Sequence, residues 1–116
     1  AGLMLAKNAV KKQDYESALQ HLSTLVSADN DLIAIVANMR MASIQLEMGK
    51  FKEAINTLDS KLPGEFNGLY SQLKGDIYVA DNQINKAKEQ YKLALSQISR
   101  DSELQSLINI KLTDLN

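Results

Sequence analysis

The stretch GDIYVADNQINKAKEQY, residues 75–91, decides the fold of this chain. Within it, Ala87 stands three residues after one large apolar residue and four residues before another, a spacing that places all three on one face of a helix. Ala54 and Ala18 have the same surroundings, and the three alanines are separated by 36 and 33 residues. The flanking pairs are Tyr15 and Leu22, Phe51 and Leu58, and Ile84 and Tyr91. The pattern therefore indicates a helical unit that recurs about every 34 residues.

This period, together with the motif A-x3-F in the second helix, is typical of the tetratricopeptide helical hairpin. The third unit also keeps Gly75 and Tyr78 of the fuller pattern, and the second has the small residue Ala42 at the place of Gly75. We therefore predict an all-α, tetratricopeptide-like superhelix of three helical hairpins plus a C-terminal capping helix. The alternative is an irregular helical bundle in which alanine recurs by chance. The predicted single domain, 1–116, has hairpins at about 2–27, 32–62 and 68–98 and a capping helix at about 102–115.

Polar or glycine-containing pairs mark the turn inside each predicted hairpin. Gln13-Asp14 ends the first helix, Gly49-Lys50 separates the helices of the second hairpin, and Asp81-Asn82 separates those of the third. Glycine suits such a turn because it readily takes the left-handed conformation that ends a helix. The two helices of each hairpin are expected to cross closely at a small residue, and these residues are Ala6, Ala42 and Gly75.

Composition argues against several classes of function. Lysine plus arginine (13) nearly balance aspartate plus glutamate (14), and the basic residues are scattered, so no nucleic-acid partner is predicted. The chain has no cysteine and a single histidine, His21, which we expect to be a solvated surface residue. No nucleophile–base pair or metal-ligand cluster can be assembled, so we predict no catalytic residue, no metal and no cofactor. A pocket with converging titratable groups would revive the enzyme alternative.

The stretch Leu32–Met48 is the most apolar part of the chain. Polar residues interrupt it, so it does not provide the roughly 20 mainly apolar residues that span a bilayer. Apolar residues nevertheless occur on most of its sides, which predicts neighbours on more than one face. The chain opens Ala-Gly-Leu-Met, without an initiator methionine or a helix cap. We therefore expect an upstream segment, for which a targeting or anchoring element is one candidate.

Five stretches of the sequence carry a family resemblance: Asn38-Met39-Arg40-Met41-Ala42, Gly49-Lys50-Phe51-Lys52-Glu53-Ala54, Leu58-Asp59, Leu73-Lys74-Gly75-Asp76 and Ile110-Lys111-Leu112-Thr113-Asp114-Leu115. They resemble the YfgM family, whose members are tetratricopeptide-like ancillary subunits of the bacterial Sec translocon. The similarity covers essentially all of the chain and corresponds to the C-terminal part of the family's periplasmic domain. Members of this family commonly have a tryptophan at the position of Phe66, so this residue departs from the family pattern.

The resemblance implies a non-enzymatic protein–protein interaction domain on the periplasmic face of the bacterial inner membrane, with its anchor in a segment outside this chain. The implied partners are translocon subunits, a membrane-anchored periplasmic chaperone and emerging polypeptides. The alternative is a soluble tetratricopeptide scaffold or secretion chaperone with no membrane anchor, located in the cytoplasm.

The first helix of each hairpin lines the binding groove in this repeat type, so groove positions can be carried over one by one. The middle third is predicted to be apolar, and the unbranched thioether of Met39 would repack around varied partner side chains. The opposing interpretation places Met39 in the core. We expect the side chain of Phe66 to be buried beneath the third hairpin, and the alternative is that it is exposed and anchors a partner. The predicted groove residues are Leu3, Lys7, Val10, Lys11, Val36, Met39, Ser43, Leu46, Glu47, Leu69, Gln72, Asp76, Val79 and Ala80.

Overall fold

The structure, a computed structural model, describes residues 2–116 and, within them, the side chains of Lys12 and of residues 14–116. Every regular element in this part of the chain is helical, which confirms the predicted all-α class. The elements are α1 (Gly2–Val26), α2 (Asp31–Glu47), α3 (Phe51–Asp59), a 3₁₀ turn (Gly64–Phe66), α4 (Asn67–Ala80), α5 (Ile84–Gln97) and α6 (Glu103–Thr113).

Helices α2 and α3 form one hairpin and helices α4 and α5 another, and the two turns have the same geometry. Gly49 and Asn82 take the left-handed conformation, with φ of 76° and 58°. In each turn the N–H of the following residue donates to a carbonyl five residues back, at 2.9 Å after Gly49 and 2.8 Å after Asn82. These bonds satisfy carbonyl groups that the helix end would leave unpaired. Since equivalent positions lie 33 residues apart, the two hairpins are copies of one unit.

Residues 2–27 differ from the predicted first hairpin. Helix α1 runs without interruption from Gly2 to Val26, through the Gln13-Asp14 pair at which a turn was expected. Gln13 stands 36 residues before Gly49, at the position that takes the left-handed conformation in the other two turns. Glutamine has a Cβ that disfavours this conformation and is a good helix former, so the polar pair continues the helix. The first described element is therefore one long helix, which packs along α2.

Small residues lie where the helices of the two hairpins cross. Ala54 and Ala87 are fully buried. A Cβ built at Gly75 would lie 2.6 Å from Cδ1 of Tyr91, so only a glycine fits against this ring. Ala18, the corresponding alanine in α1, is partly exposed.

Hydrogen bonds of buried side chains hold the second hairpin together, and one of them joins it to the third. Asn38 donates from Nδ2 to the carbonyl oxygen of Thr57 at 2.8 Å and to the hydroxyl of Tyr70 at 3.0 Å. The hydroxyl of Thr57 donates to Oε1 of Gln45 at 2.6 Å. An unpaired buried polar group is costly, so these bonds favour one relative placement of α2, α3 and α4.

Helix α6 covers the end of the array, at the predicted capping position. Its N-cap residue Ser102 accepts a hydrogen bond from the N–H of Leu104 at 3.2 Å, and Ile108 is fully buried against α5. In the connector between the hairpins, Phe66 is partly buried against the core of α2, α3 and α4. Within residues 2–116 no helix combines the length and the apolar content that crossing a bilayer requires.

Candidate protein-binding groove

Three helices, α2, α4 and α6, form a row that we call the first-helix face. Helix α2 contacts α4, and α4 is joined to α6 by an ion pair in which Nζ of Lys111 lies 3.0 Å from Oδ1 of Asp76. Lys111 follows Asp76 by 35 residues, which is about one repeat length. Helix α6 therefore takes the place that the first helix of a further hairpin would occupy. The row therefore brings together residues from three successive units of the sequence.

Ten of the predicted groove residues have described side chains, and none of the ten is fully buried. Ser43, Glu47, Val79 and Ala80 are exposed. The partly buried ones are Val36, Met39, Leu46, Leu69, Gln72 and Asp76. The other four, Leu3, Lys7, Val10 and Lys11, lie outside the residues whose side chains the structure describes.

Met39 and Leu46 belong partly to the core. Both pack against the buried cluster of α2, α3 and α4 while keeping some accessible surface. Such side chains make the base of the groove apolar, and its shape depends on how the core beneath it is packed. Both interpretations of Met39 therefore describe part of what is found, since the side chain contacts the core and also reaches the surface.

Glu47 connects the C-terminal end of α2 to α1. Its Oε2 accepts a hydrogen bond from the hydroxyl of Tyr15 at 2.7 Å. A bond from a hydroxyl to a carboxylate is one of the stronger types, and here it links α1 to the C-terminal end of α2. The pair sets the boundary of the face at its α1 end.

The other end of the face contains a cluster of three side chains around Asp76. The hydroxyl of Tyr91 donates to Oδ1 at 2.6 Å, and Nζ of Lys111 donates to Oδ1 at 3.0 Å and Oδ2 at 3.1 Å. Burial, followed by the hydrogen bond to Asp76 and its negative charge, raises the pKa of Tyr91 above its usual range. The tyrosine therefore stays neutral and donates, while the carboxylate and the ammonium group compensate each other. The cluster holds α4, α5 and α6 together and offers no activated nucleophile.

A cavity of about 240 Å³ opens beside this cluster. Val79 and Leu115 supply its apolar wall, and the rest of its lining consists of Asp76, Tyr91, Lys111 and Asp114. Pockets that bury a small-molecule ligand usually have about 300 to 1,000 Å³. A smaller depression with an apolar wall and a charged rim fits one side chain of a partner protein.

The second helices have an apolar surface of their own, which the sequence reasoning did not single out. Leu93 on α5 is 45% exposed, and Leu62 is 87% exposed because α3 ends at Asp59, before the predicted end of the hairpin. Both residues line a cavity of about 310 Å³ between α3, α4 and α5. A residue beyond the last helical turn is not held on the buried face by helical periodicity, which accounts for the exposure of Leu62.

Sequence reasoning selected Asp76 but missed its partners Tyr91 and Lys111 as members of the site. The available signal was the separation of Asp76 and Lys111 by 35 residues, close to one repeat, which places opposite charges on neighbouring first helices. His21 is exposed, as expected. Among residues with described side chains, no group of three or more histidine, aspartate and glutamate residues is placed to hold a metal ion.

Comparisons with known proteins place the whole chain among helical-repeat sequences. The family described as "Tetratricopeptide repeat-like domain" matches residues 1–116. The "Ancillary SecYEG translocon subunit" of Neisseria gonorrhoeae is 32% identical over 116 residues, which are 99% of this chain and 56% of that protein. The protein of the same name in Haemophilus influenzae is 29% identical over 111 residues, or 95% of this chain and 53% of its own length.

A second kind of relative matches a shorter segment. The "Hsp70-Hsp90 organizing protein 2" of Arabidopsis thaliana is 42% identical over 55 residues, which are 47% of this chain and 9% of that protein. No solved structure matches this chain significantly. The chain spans about half the length of the translocon-subunit relatives it matches.

Proposed function

The chain belongs to the tetratricopeptide repeat-like domain family, and on that premise we propose that it is a non-enzymatic protein-interaction domain of a Sec-translocon ancillary subunit. The resemblance to the YfgM family is confirmed by relatives named as ancillary SecYEG translocon subunits. The observation that carries the proposal is the match to such a relative over 99% of this chain. Helical arrays of this kind present extended surfaces to other polypeptides, so a binding role agrees with the fold.

The proposed location is the periplasmic face of the bacterial inner membrane, with an anchor outside this chain. The proposed partners are translocon subunits, a membrane-anchored periplasmic chaperone and emerging polypeptides. The resemblance supports these assignments, and the relatives' name supports a place beside the translocon.

On the first-helix face, apolar and charged residues would contribute differently to binding. Val79 is accessible apolar surface beside a cavity that fits one side chain, so burial of a partner residue there would provide affinity. Asp76 and Lys111 are already paired, so they orient a partner without leaving an uncompensated charge. Glu47 is an exposed carboxylate at the other end of the face, where it would select against acidic partner segments.

Site-specific photo-crosslinking in cells tests the proposal directly. The full-length protein receives a photo-reactive amino acid at Ser43 or Ala80, both exposed on first helices. The matched controls carry it at Lys92 or Ser96, which are exposed on the second helix α5. We expect adducts with SecYEG or a translocon-associated chaperone from positions 43 and 80 and not from 92 and 96. Equal adducts from all four positions, or none from any, would contradict binding through the first-helix face.

A soluble tetratricopeptide scaffold is the second candidate, favoured by the 42% identity to the Arabidopsis protein over 55 residues. The two candidates differ in where the protein lies in the cell. Protease added to intact spheroplasts degrades a periplasmic domain held at the inner membrane and leaves a cytoplasmic scaffold untouched. Protection from protease until the membrane is dissolved would favour the soluble scaffold.

A further inference from the structure

A groove lies at the turn end of the array, between the second hairpin and the third. Its main part is a cavity of about 310 Å³ between the beginning of α3, the last turn of α4 and the beginning of α5. An adjoining depression of about 300 Å³ shares Phe51, Lys52 and Asp81 with this cavity and extends to the turn at Gly49. We call the two depressions the turn-end groove. The main cavity is lined by Phe51, Lys52, Ile55, Asn56, Tyr78, Asp81, Gln83 and Lys86, none of which is among the predicted groove residues of the first helices.

The base of the main cavity is apolar and lies between two hydrophobic clusters. Phe51 and Ile55 pack against the cluster of α2, α3 and α4, whereas Tyr78 packs against the cluster of α5 and α6. All three side chains are only partly buried. An apolar side chain of a partner in this cavity would therefore contact residues of both clusters, and burial of its surface would stabilise the complex.

Two exposed lysines at the rim of the cavity have no carboxylate partner. Lys52 on α3 and Lys86 on α5 form no ion pair with any side chain that the structure describes. Nζ of Lys86 lies 5.7 Å from the centre of the Tyr78 ring, a cation–π contact that keeps the ammonium group over the apolar base. Asp81, the acidic residue of the lining, accepts a hydrogen bond from Nε2 of Gln83 at 2.6 Å. Two lysines and one aspartate leave the lining with a net positive charge, in a chain whose net charge is −1.

The backbone adds to the positive potential of the groove. Helices α3 and α5 both begin there, and neither N-cap residue, Lys50 or Gln83, caps the first turn with its side chain. Helices α2 and α6, in contrast, are capped by the side chains of Asn30 and Ser102. A helix N-terminus carries a partial positive charge that favours a nearby anion. Two lysine side chains and two helix ends without a side-chain cap thus favour carboxylates at the same place.

The repeat itself does not require this arrangement. At the equivalent positions of the second hairpin, 33 residues earlier, Gln45 replaces Tyr78 and Glu53 replaces Lys86. Glu53 lies 4.0 Å from Nζ of Lys50, so its charge is compensated within the chain. The combination of an aromatic ring with an unpaired lysine therefore distinguishes the third hairpin from the second, although both have the same fold.

We propose that the turn-end groove binds an acidic segment of a partner polypeptide. One apolar side chain of the segment occupies the main cavity, and the neighbouring carboxylates pair with Lys52 and Lys86. A polypeptide fits better than a nucleic acid, because the base accepts an apolar side chain and because Asp81 and Glu53 would repel a continuous phosphate backbone. This second binding site goes beyond the proposed function and does not depend on which protein the first-helix face binds.

A short synthetic peptide with a fluorescent label is the probe for the first test. It has one phenylalanine, two acidic residues on each side of it and blocked ends, and fluorescence anisotropy measures its Kd for the purified chain. We expect the Kd to rise by about tenfold when alanine replaces the phenylalanine, and by at least as much when lysines replace the acidic residues. Absence of binding, or binding that is indifferent to both changes, would overturn the proposal. Tighter binding of a single-stranded oligonucleotide of the same length would contradict peptide recognition.

Single lysine variants identify the site on the protein. Lys52→Gln and Lys86→Gln each remove one exposed charge, and we expect each to raise the Kd of the acidic peptide by about two- to fivefold. The matched control Lys92→Gln, at another exposed lysine of α5, should bind like the parent chain, and thermal unfolding checks that all three variants keep the fold. On peptide binding, amide chemical shifts should change at the beginning of α3 and in the turn between α4 and α5. Equal effects of the three variants, or shift changes confined to the first-helix face, would overturn the assignment.

Discussion

Gly75 and Tyr91 show at the scale of single residues how the repeat is adjusted. In the third hairpin a tyrosine ring packs directly on a glycine, whereas the equivalent residues 33 positions earlier are Leu58 and Ala42. A larger residue on the second helix is thus matched by a smaller one on the first. The two hairpins fill the same space with different pairs.

The close packing of the Tyr91 ring on Gly75 predicts the effect of Gly75→Ala. The added Cβ collides with a ring that its own hydrogen bond to Asp76 holds in place, so we expect the free energy of unfolding to fall by about 1–3 kcal/mol. Urea denaturation provides the measurement. The double variant Gly75→Ala with Tyr91→Leu restores the pair found in the second hairpin, and it should lose less stability than the sum of the two single variants. Additive losses would contradict the steric explanation.

Tyr91 also predicts a dependence of stability on alkaline pH. A tyrosine in the unfolded chain ionises near pH 10, whereas burial and the neighbouring Asp76 raise the pKa of Tyr91 in the fold. Its contribution to stability is therefore fully present below about pH 10 and is lost as the pH rises above that value, because only the unfolded chain releases the proton.

Comparison with Tyr91→Phe isolates this effect. We expect the variant to lose about 1–3 kcal/mol at neutral pH, since the hydroxyl no longer bonds to Asp76. Between pH 9 and pH 11, where ionisation of the unfolded tyrosine begins, its unfolding free energy should fall less than that of the parent chain. Parallel pH profiles of the two proteins would show that Tyr91 is not the responsible group.

Apolar spacing predicted the buried alanines of the second and third hairpins but not the polar residues beside them. Ala54 and Ala87 are fully buried as their spacing requires. Asn38 and Ser71 are buried as well, although nothing in a hydrophobic pattern selects a polar residue for the core. Their burial depends on hydrogen-bond partners on other helices, and those partners become visible only in three dimensions.

At the scale of helices, each element is stabilised mainly by its neighbours in the array. Helix α6 illustrates this, because Ile108 is fully buried against α5 while the adjacent Leu107 is 43% exposed. The side of α6 that faces α5 therefore provides most of its anchoring.

Ile108→Ala should destabilise the C-terminal end selectively. We expect a loss of about 2–5 kcal/mol, as is typical when a buried isoleucine is truncated, and less than 1 kcal/mol for the matched variant Leu107→Ala. Amide hydrogen exchange should show lower protection in α5 and α6 while α2 and α3 change little. Equal loss of protection in all helices would indicate one cooperative unit in place of separable neighbours.

Helix boundaries could be predicted from the sequence wherever a residue forces the chain to turn. The turns at Gly49 and Asn82 are where the sequence predicted them, because these residues accept the left-handed conformation. Gln13 occupies the equivalent position without that property, and the polar character of the Gln13-Asp14 pair was mistaken for a helix stop. The identity of the one turn residue, compared across the repeats, was the signal that distinguished α1 from the closed hairpins.

At the scale of the whole molecule, the repeat predicted that α2 and α4 contribute to one face, but not that α6 joins them or how much of each side chain remains accessible. Asp76 and Val79 line one cavity with α6, whereas Met39 and Leu46 divide their surface between the core and the face. Accessibility depends on the neighbouring helices, including the path of α1, so it could not be obtained from the periodicity of any single helix.

Two aliphatic residues with similar exposure allow the binding face to be identified. Val79 on the first helix α4 is 36% exposed, and Leu93 on the second helix α5 is 45% exposed. If the partner binds the first-helix face, Val79→Asn places a polar amide where an apolar contact is needed. We then expect the Kd for solubilised SecYEG to rise by about tenfold, which corresponds to about 1.4 kcal/mol.

Leu93→Asn serves as the matched control, because it makes the same kind of change on the second-helix side. This variant should bind like the parent chain, and thermal unfolding of both variants checks that the fold is intact. The opposite result, weaker binding by Leu93→Asn alone, would assign recognition to the cavity between α3, α4 and α5, which Leu93 lines together with Leu62. Since the two residues differ mainly in the face they occupy, the pair of binding measurements identifies which side of the array binds the proposed partner.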